Sequence, residues 1–368
     1  MKRVVAHLIH CGLDSAIHFT LPQPHHVMAD QLVECVPNFS EGKDKEVIDA
    51  ITDEMLTVSG VKLLDVDMGA DFHRTVVTIV GPPEQVLEAV LRGTGIALSS
   101  IDMTTHNGEH ARMGAIDVVP FIPVRNISMD ECVILAERYG QQCADRFGHS
   151  VYLYAKAARR QDRIRLPDIR RGEYEALSDK LGSEEWAPEY GPNKFNPTSG
   201  VTASGARSIL IAYNVNLNTA DKSITNNIAG KLRTSGVLKK DENGEKILDS
   251  DGKPERINGK FDALQGAGWM YDDQTAQVSM NLLDYKTTGL HQVTDAIREL
   301  ASQTNHQTTA GELVGLVPLD AILDSGRHYH GKDASDDVLI ASAVEGLQLN
   351  KLGEFIVEQR IIEYAAGV

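Results

Sequence analysis

Apolar positions along this chain recur with two alternating periods, one of strands and one of helices, and their order predicts the elements. Leu32 to Val36 reads as a strand and Lys43 to Leu56 as a helix with Ile48, Ile51 and Leu56 on one face. Val61 to Val66 and Thr75 to Val80 read as strands separated by the Met68 to Phe72 turn. Pro83 to Ala97 is a helix whose proline falls near the first turn, where its missing N–H is no loss, and Ala115 to Ile122 is the strand that completes the unit. Ser128-Met129-Asp130-Glu131 has the spacing of a capping box and opens a helix through Cys143, after which Val151 to Tyr154 adds a short edge strand. Residues 156–200, rich in Arg, Pro and Gly and poor in periodicity, read as a connector.

The pattern then recurs. Ser208 to Val215 is a strand, Ala220 to Arg233 a helix, Ala263 to Met270 and Gln277 to Leu283 strands, Gly289 to Ala301 a helix and Glu312 to Val317 a strand. Each run is strand, helix, strand, strand, helix, strand, the split or ferredoxin-like order. The expected class is therefore α/β (α+β), with two βαββαβ subdomains, 29–206 and 207–368, whose sheets face a central substrate groove. Residues 236–259 form a charged insertion with Asn243-Gly244 and Asp251-Gly252 turn signals, best read as an exposed hairpin.

A length of 368 residues suits two domains of ordinary size, and 42% hydrophobic with 24% charged residues is a globular composition. No apolar run approaches the roughly 20 residues of a membrane helix. A net charge of −16 argues against collecting nucleic-acid phosphates and leaves any anionic substrate dependent on a local Lys or Arg cluster. Cys11, Cys35, Cys132 and Cys143 fall at no metal-finger spacing and are too few for a disulfide framework, which points to reduced thiols and a cytoplasmic setting. Residues 1–28 begin with Lys2-Arg3, but His7, His10 and Asp14 interrupt any signal-peptide core. They are expected to be a disordered or misassigned leader, with Met28 as the true start.

Ile101 to Val124 is the stretch richest in chemistry, since His106, Glu109, His110 and Arg112 crowd together just before a buried strand. Asn107 and Gly108 disfavour a helix, so His106 to Met113 is placed on a loop feeding that strand, where catalytic groups tend to sit. Two readings follow. His106-x-x-Glu109-His110 satisfies the inverted zinc-peptidase spacing, but that logic needs a helix, and Gly108 costs about 1 kcal/mol there. Alternatively one histidine acts as general base, with Glu109 and Arg112 orienting it or the substrate.

Other constellations are less specific. Asp65 and Asp67 end a strand and share a face, Arg74 suits a forked contact to a carboxylate, and Asn38 lies in a polar strand end preceding a helix. There, Ser40 reads as the N-cap. Trp186 to Gly200 offers aromatics, Lys194 and fixed prolines for gripping a flat heterocycle. Gly266 and Gly268 inside a strand mark a bulge or a close backbone approach.

Together, Val33-Glu-Cys-Val-Pro-Asn-Phe-Ser-Glu-Gly42, Leu64-Asp-Val-Asp67, Arg74-Thr-Val76, His106-Asn-Gly-Glu-His110, Arg112-Met-Gly-Ala-Ile-Asp-Val118, Pro120-Phe-Ile-Pro-Val124 and Arg360-Ile-Ile-Glu-Tyr364 closely resemble the formiminotransferase family, glutamate formimidoyltransferase, from about Asp30 to Tyr364. The resemblance implies two α/β subdomains around a folate-binding tunnel. It implies transfer of a formimino group from N-formimino-L-glutamate to N5 of tetrahydrofolate, a co-substrate, in histidine breakdown, and a homodimer. Its catalytic histidine falls on His110, here followed by Ala111 where the family often has proline. Its folate-contacting segments fall on Gly191-Pro192-Asn193-Lys194-Phe195-Asn196-Pro197-Thr198-Ser199-Gly200 and Gly259-Lys260-Phe261-Asp262-Ala263-Leu264-Gln265-Gly266-Ala267-Gly268. The fused cyclodeaminase half of the animal enzyme has no counterpart after Tyr364, so the monofunctional form is expected.

On charge type, Asp67 is the candidate to pair the cationic formimino nitrogen or orient His110, with Asn38 at the substrate and Arg74 and Arg112 on the glutamate carboxylates. No metal is needed, because an amidinium is already an electrophile. The rival readings are formyl transfer from N-formylglutamate, a zinc hydrolase using His106, Glu109 and His110, and a folate-binding protein without catalysis.

Overall fold

The computed structural model describes residues 31–108 and 111–367, in which helices cover two β-sheets. The first sheet comprises β1 (Leu32–Cys35), β2 (Asn38–Phe39), β3 (Lys62–Gly69), β4 (Arg74–Gly81), β5 (Ile116–Arg125), β6 (Val151–Ala155) and β7 (Thr202–Ala206). β1 and β2 act as one strand interrupted at Val36-Pro37, both pairing antiparallel with β4 on one side and β5 on the other. Outward from there β3 pairs β4, while β7 lies parallel to β5 and β6 parallel to β7.

Alternation divides this sheet's faces. Val33, Cys35, Phe39, Val77, Ile79, Ile116 and Phe121 face α1 (Lys45–Leu56), α2 (Pro83–Ser100) and α3 (Met129–Phe147), and share one core with Ile48, Ile51, Val90 and Leu135. The opposite face carries one row across the strands. Asp67 pairs with Val76, Val76 with Asn38, Asn38 with Val118, Val118 with Ala203, and Ala203 with Tyr152. The 156–200 stretch, with the one-turn helices α4 (Leu166–Ile169) and α5 (Leu177–Lys180), closes over part of this face, where Ile169, Leu177 and Leu181 pack on Val118, Tyr152 and Ala203. A buried Arg163–Glu189 pair, 2.5 Å apart, pins it there.

The second half begins with β8 (Ile211–Leu217) and α6 (Lys222–Leu232) and continues through the small exposed pair β9 (Val237–Leu238) and β10 (Arg256–Ile257). It is completed by β11 (Leu264–Met270), β12 (Ala276–Leu282), α7 (Leu290–Ser302) and β13 (Thr308–Val314). Its sheet runs β11-β12-β8-β13, antiparallel throughout. Tyr213, Val215, Val278 and Met280 bury against Ile228, Val293 and Ile297. Two further helices, α8 (Leu319–His330) and α9 (Asp336–Gly346), join this core through Ile322, Leu339 and Ile340. Leu32, Val80 and Ile122, from the open face of the first sheet, are buried in the same cluster, so the halves meet at that sheet's far end.

Several expectations are corrected. Thr202–Ala206, placed in no element by periodicity, is an interior strand: Thr202, Ala203, Ser204, Gly205 and Ala206 are all buried, and small residues let α3 and Tyr154 close on it. The strands expected at Ser208 to Val215 and Glu312 to Val317 lie at Ile211–Leu217 and Thr308–Val314. The first helix is capped by Asp44, which accepts from the N–H groups of Glu46 and Val47, while Ser40 donates to the Gly114 carbonyl. The Ser128 capping box is present with both of its bonds, and the 236–259 insertion pairs as an exposed hairpin. Residues 1–28 lie outside the described residues.

Candidate active site

The loop between α2 and β5 is held on both flanks of its undescribed centre. Before it, Met103–Thr105 makes one 3-10 turn, and the Met103 N–H donates to the Thr198 carbonyl. His106 then donates from Nε2 to the His73 carbonyl (2.8 Å), because its Nδ1 accepts from Arg112 Nε (3.2 Å). Both ring nitrogens are thus engaged, which leaves neither for a metal in this conformation. The ring stacks on His73, centroids 4.3 Å apart, and burial, with the neighbouring His73 and Arg112, holds its pKa below the ordinary imidazole value. Gly108 closes against the turn below: a Cβ there would lie 2.4 Å from the Phe72 carbonyl oxygen. His73 bonds the Asn107 carbonyl (3.0 Å) and lies 3.2 Å from Glu41 Oε1.

After the gap, Arg112 is clamped. It grips Glu175 with two nitrogens (2.6 and 2.9 Å) and reaches Glu173 at 3.1 Å. The bonds from Glu175 push its pKa still higher. In this structure the guanidinium is thus taken up by Glu173, Glu175 and His106. Met113 N–H donates to Asp117 Oδ1 and Ala115 N–H to the Ser199 carbonyl, which returns the chain to β5. Glu109 and His110 themselves lie outside the described residues, and with them two members of the zinc alternative.

Beside this loop lies the open face of the first sheet. Asp67 is exposed on it, with Asn38 in the same row. Asn38 is 4% exposed; its Nδ2 donates to the Val36 carbonyl and its Oδ1 has no partner among the described residues. Arg74, half-buried, sits in the field of Asp117, Arg170 and Asp67, and burial lowers its pKa. The buried Asp117 is paired with Arg170.

Comparison with known proteins decides what this arrangement belongs to. Family models match both halves: the formiminotransferase domain, N-terminal subdomain, over residues 32–207, and the formiminotransferase domain over 212–367. The chain belongs to the formiminotransferase family. It is 36% identical to glutamate formimidoyltransferase of Thermoplasma acidophilum over 339 residues, covering 92% of this chain and 99% of that one. To glutamate formimidoyltransferase of Streptococcus pyogenes serotype M1 it is 36% identical over 300 residues, 81% of this chain and 93% of the relative. Formimidoyltransferase-cyclodeaminase of Sus scrofa is 45% identical over 339 residues; this chain spans 60% of that longer relative.

The two segments for which formiminotransferases suggested folate contact are placed differently. Gly191 to Gly200 packs on the described flanks of the α2–β5 loop: the Thr198 carbonyl accepts from Met103, Gly114 bridges Gly200, Tyr174 Oη donates to the Pro197 carbonyl, and a cavity of about 410 Å³ opens between Lys194, Phe195, Pro197 and His149. Gly259 to Gly268 belongs to the second sheet, where Lys260 and Phe261 donate from their backbones to the end of α6. The glycines there serve packing. A Cβ on Gly268 would lie 2.4 Å from the Asn226 nitrogen, so the open face is presented by Gln265, Ala267 and Trp269. No hydrogen bond joins the two segments among the described residues.

Glu41, His73, Glu173 and Glu175 were not picked out as site residues from sequence. A signal existed for the glutamates only, since an arginine that feeds a buried strand needs carboxylate partners.

Proposed function

We propose that the chain transfers the formimino group of N-formimino-L-glutamate to N5 of tetrahydrofolate, giving 5-formiminotetrahydrofolate and L-glutamate in histidine degradation. The observation that carries the reading is the clamping of both flanks of the His110 loop, by His73 and Arg112, beside the row that holds Asp67 and Asn38. N5 of tetrahydrofolate is a weak secondary amine. Its lone pair attacks the amidine carbon while His110 accepts the N5 proton, and the tetrahedral adduct collapses as the C–N bond to glutamate breaks and the imidazolium returns the proton to the leaving nitrogen. Asp67 balances the cationic amidinium and Arg74 the donor's carboxylates. Holding both reactants in line contributes several kcal/mol more, of the order that well-oriented pairs gain.

In this reading each half is a ferredoxin-like unit. The support is the strand order, β3-β4-β1-β5 in the first half and β11-β12-β8-β13 in the second, each in the 2-3-1-4 sequence of a split βαβ motif. The substrates occupy the space between the open sheet faces, and no metal enters the chemistry.

The test is glutamate release from formiminoglutamate with and without tetrahydrofolate, alongside formylglutamate as donor. Release that requires tetrahydrofolate and favours the formimino donor is expected, with His110→Ala retaining folate binding but losing turnover. Release without folate, or unchanged turnover in the variant, would remove the transferase mechanism.

A further inference from the structure

Glu34 lies on the open face of the first sheet, between Val80 and Ile122, and is only 5% exposed. Among the described residues no hydrogen bond or salt bridge reaches its carboxylate. Arg207 attracts it from a distance but donates Nη1 to the Ser208 carbonyl, and Glu363 repels it. The carboxylate lines a cavity of about 210 Å³ together with Asp65, Thr78, Arg207 and the Val314-Gly315-Leu316 turn of the second half. A cavity of about 150 Å³ accepts benzene, so this one has room for a substituted pyrimidine ring. A buried carboxylate without donors is costly. A ligand that brings a pair of N–H groups would relieve that cost.

We propose that Glu34 recognises the 2-amino and N3–H edge of the tetrahydrofolate pterin ring, each carboxylate oxygen accepting one N–H. The inference rests on the transferase reading and adds to it a residue that selects the acceptor. An N–C–N donor pair also occurs in the amidine of the donor substrate, but position favours the pterin. Glu34 and Asn38 are four residues apart along the interrupted strand, roughly 13 Å at the usual strand rise. A group bound at Glu34 therefore lies well away from the row of Asp67 and Asn38, to which the transferase reading gives the reacting carbon. A ring held by its pyrimidine edge at Glu34 instead points its other edge, which carries N5, along the face toward Asp67 and Asn38. Its side chain then continues toward Gly191 to Gly200 at the opposite end of the sheet.

Burial pushes the Glu34 carboxyl up to about 7, with Arg207 opposing and Glu363 adding to the shift. Two N–H donors favour the ionised form, so binding near neutral pH should release protons from the wild type.

The experiment measures the affinity of the full chain and of Glu34→Gln, which keeps the shape, for tetrahydrofolate and for its 2-desamino analogue. Expected is a loss of at least tenfold for tetrahydrofolate in the variant and a similar loss for the analogue in the wild type. The two losses should not add, and calorimetry in buffers of different ionisation enthalpy should show proton release in the wild type alone. The KM for formiminoglutamate should stay within twofold. Equal tetrahydrofolate affinity in both proteins, or full discrimination against the analogue in Glu34→Gln, would overturn the assignment. So would a raised KM for formiminoglutamate at unchanged tetrahydrofolate affinity, which would give the cavity to the donor. A wild type that binds no tetrahydrofolate would instead sink the transferase reading, and this assignment with it. A variant that is misfolded is recognised by its circular dichroism, and the analogue measured on the wild type then decides alone.

Discussion

His73 and His106 stack face to face, their ring centroids 4.3 Å apart and their planes within 9° of parallel. The stack joins the β3–β4 turn to the loop that leads to His110, and the two hydrogen bonds of His106 fix its angle. His106→Phe keeps the flat ring and the volume but loses both bonds, which leaves the Arg112 Nε without its acceptor. Net losses near 1 kcal/mol per bond predict a stability change of about 1–2 kcal/mol by denaturant titration. Turnover should fall by more than that figure, on the order of a hundredfold or about 2.7 kcal/mol, because the loop is no longer held at one angle. Equal losses in kcat and stability would mean that the stack is structural only.

Gly108 allows the loop before His110 to approach the β3–β4 turn closely. An added Cβ would meet the Phe72 carbonyl oxygen at 2.4 Å and the His73 Cβ at 2.6 Å, and neither is the loose end of a flexible chain. Gly108→Ala must therefore shift the loop away from the turn. Stopped-time glutamate-release assays should show kcat reduced on the order of a hundredfold, the size of effect that an ångström of misplacement produces. Global stability should change by less than about 2 kcal/mol, since the loop can move outward. Wild-type kcat in Gly108→Ala would show that the loop is not held there during turnover.

How far the sequence could be read depended on which interactions are local. Helices and strands of the first half were legible to within a few residues because the periods of Ile48, Ile51 and Leu87 or of Val77 and Ile79 record which face is buried. The loop at His106 to Met113 was legible from its crowding of titratable residues. β7 was not, because Thr202-Ala-Ser-Gly-Ala206 is buried on both sides and its small residues carry the composition of a turn. The partners of Arg112 were not either: Glu173 and Glu175 stand about sixty positions away in a stretch without periodicity, and only the tertiary fold brings them to it. Gly268 was legible as a close backbone approach, but not its partner, which is Asn226 of α6.

The Arg163–Glu189 pair makes the strongest case for a stability effect far from the chemistry. Both side chains are almost wholly buried, at 4% and 6% exposure, and Arg163 also donates to the Glu185 and Ala187 carbonyls and lies over the Tyr152 ring. Glu189 in turn accepts from the Leu153 N–H. Removing one partner leaves the other charge buried alone, which typically costs about 3–5 kcal/mol. Arg163→Met should lose that much in denaturant unfolding and should loosen residues 156–200, read as faster amide exchange there. The double variant Arg163→Met, Glu189→Leu should recover part of the loss. A single variant as stable as the wild type would show that the pair does not pin the connector.

His149 gives the fold a defined acid limit. It is buried, at 3% exposure, its Nε2 donates to Thr202 Oγ1, and that hydroxyl donates onward to the Ile116 carbonyl. Burial alone lowers its pKa from 6.5 to about 4. The native state therefore refuses a proton that the unfolded chain accepts once the pH drops below 6.5. Since the unfolded state binds more protons in that window, stability falls as pH falls, beginning near 6.5 and levelling near 4. The full loss from this one group is about 3 kcal/mol at 1.36 kcal/mol per pKa unit. Unfolding free energies measured from pH 7 to pH 4 should decline more steeply in the wild type than in His149→Gln, which cannot take up the proton. The difference between the two curves should grow between pH 6.5 and 4 and vanish above 7 apart from a constant offset. Parallel curves would show that His149 is reached by solvent or already charged in the native protein.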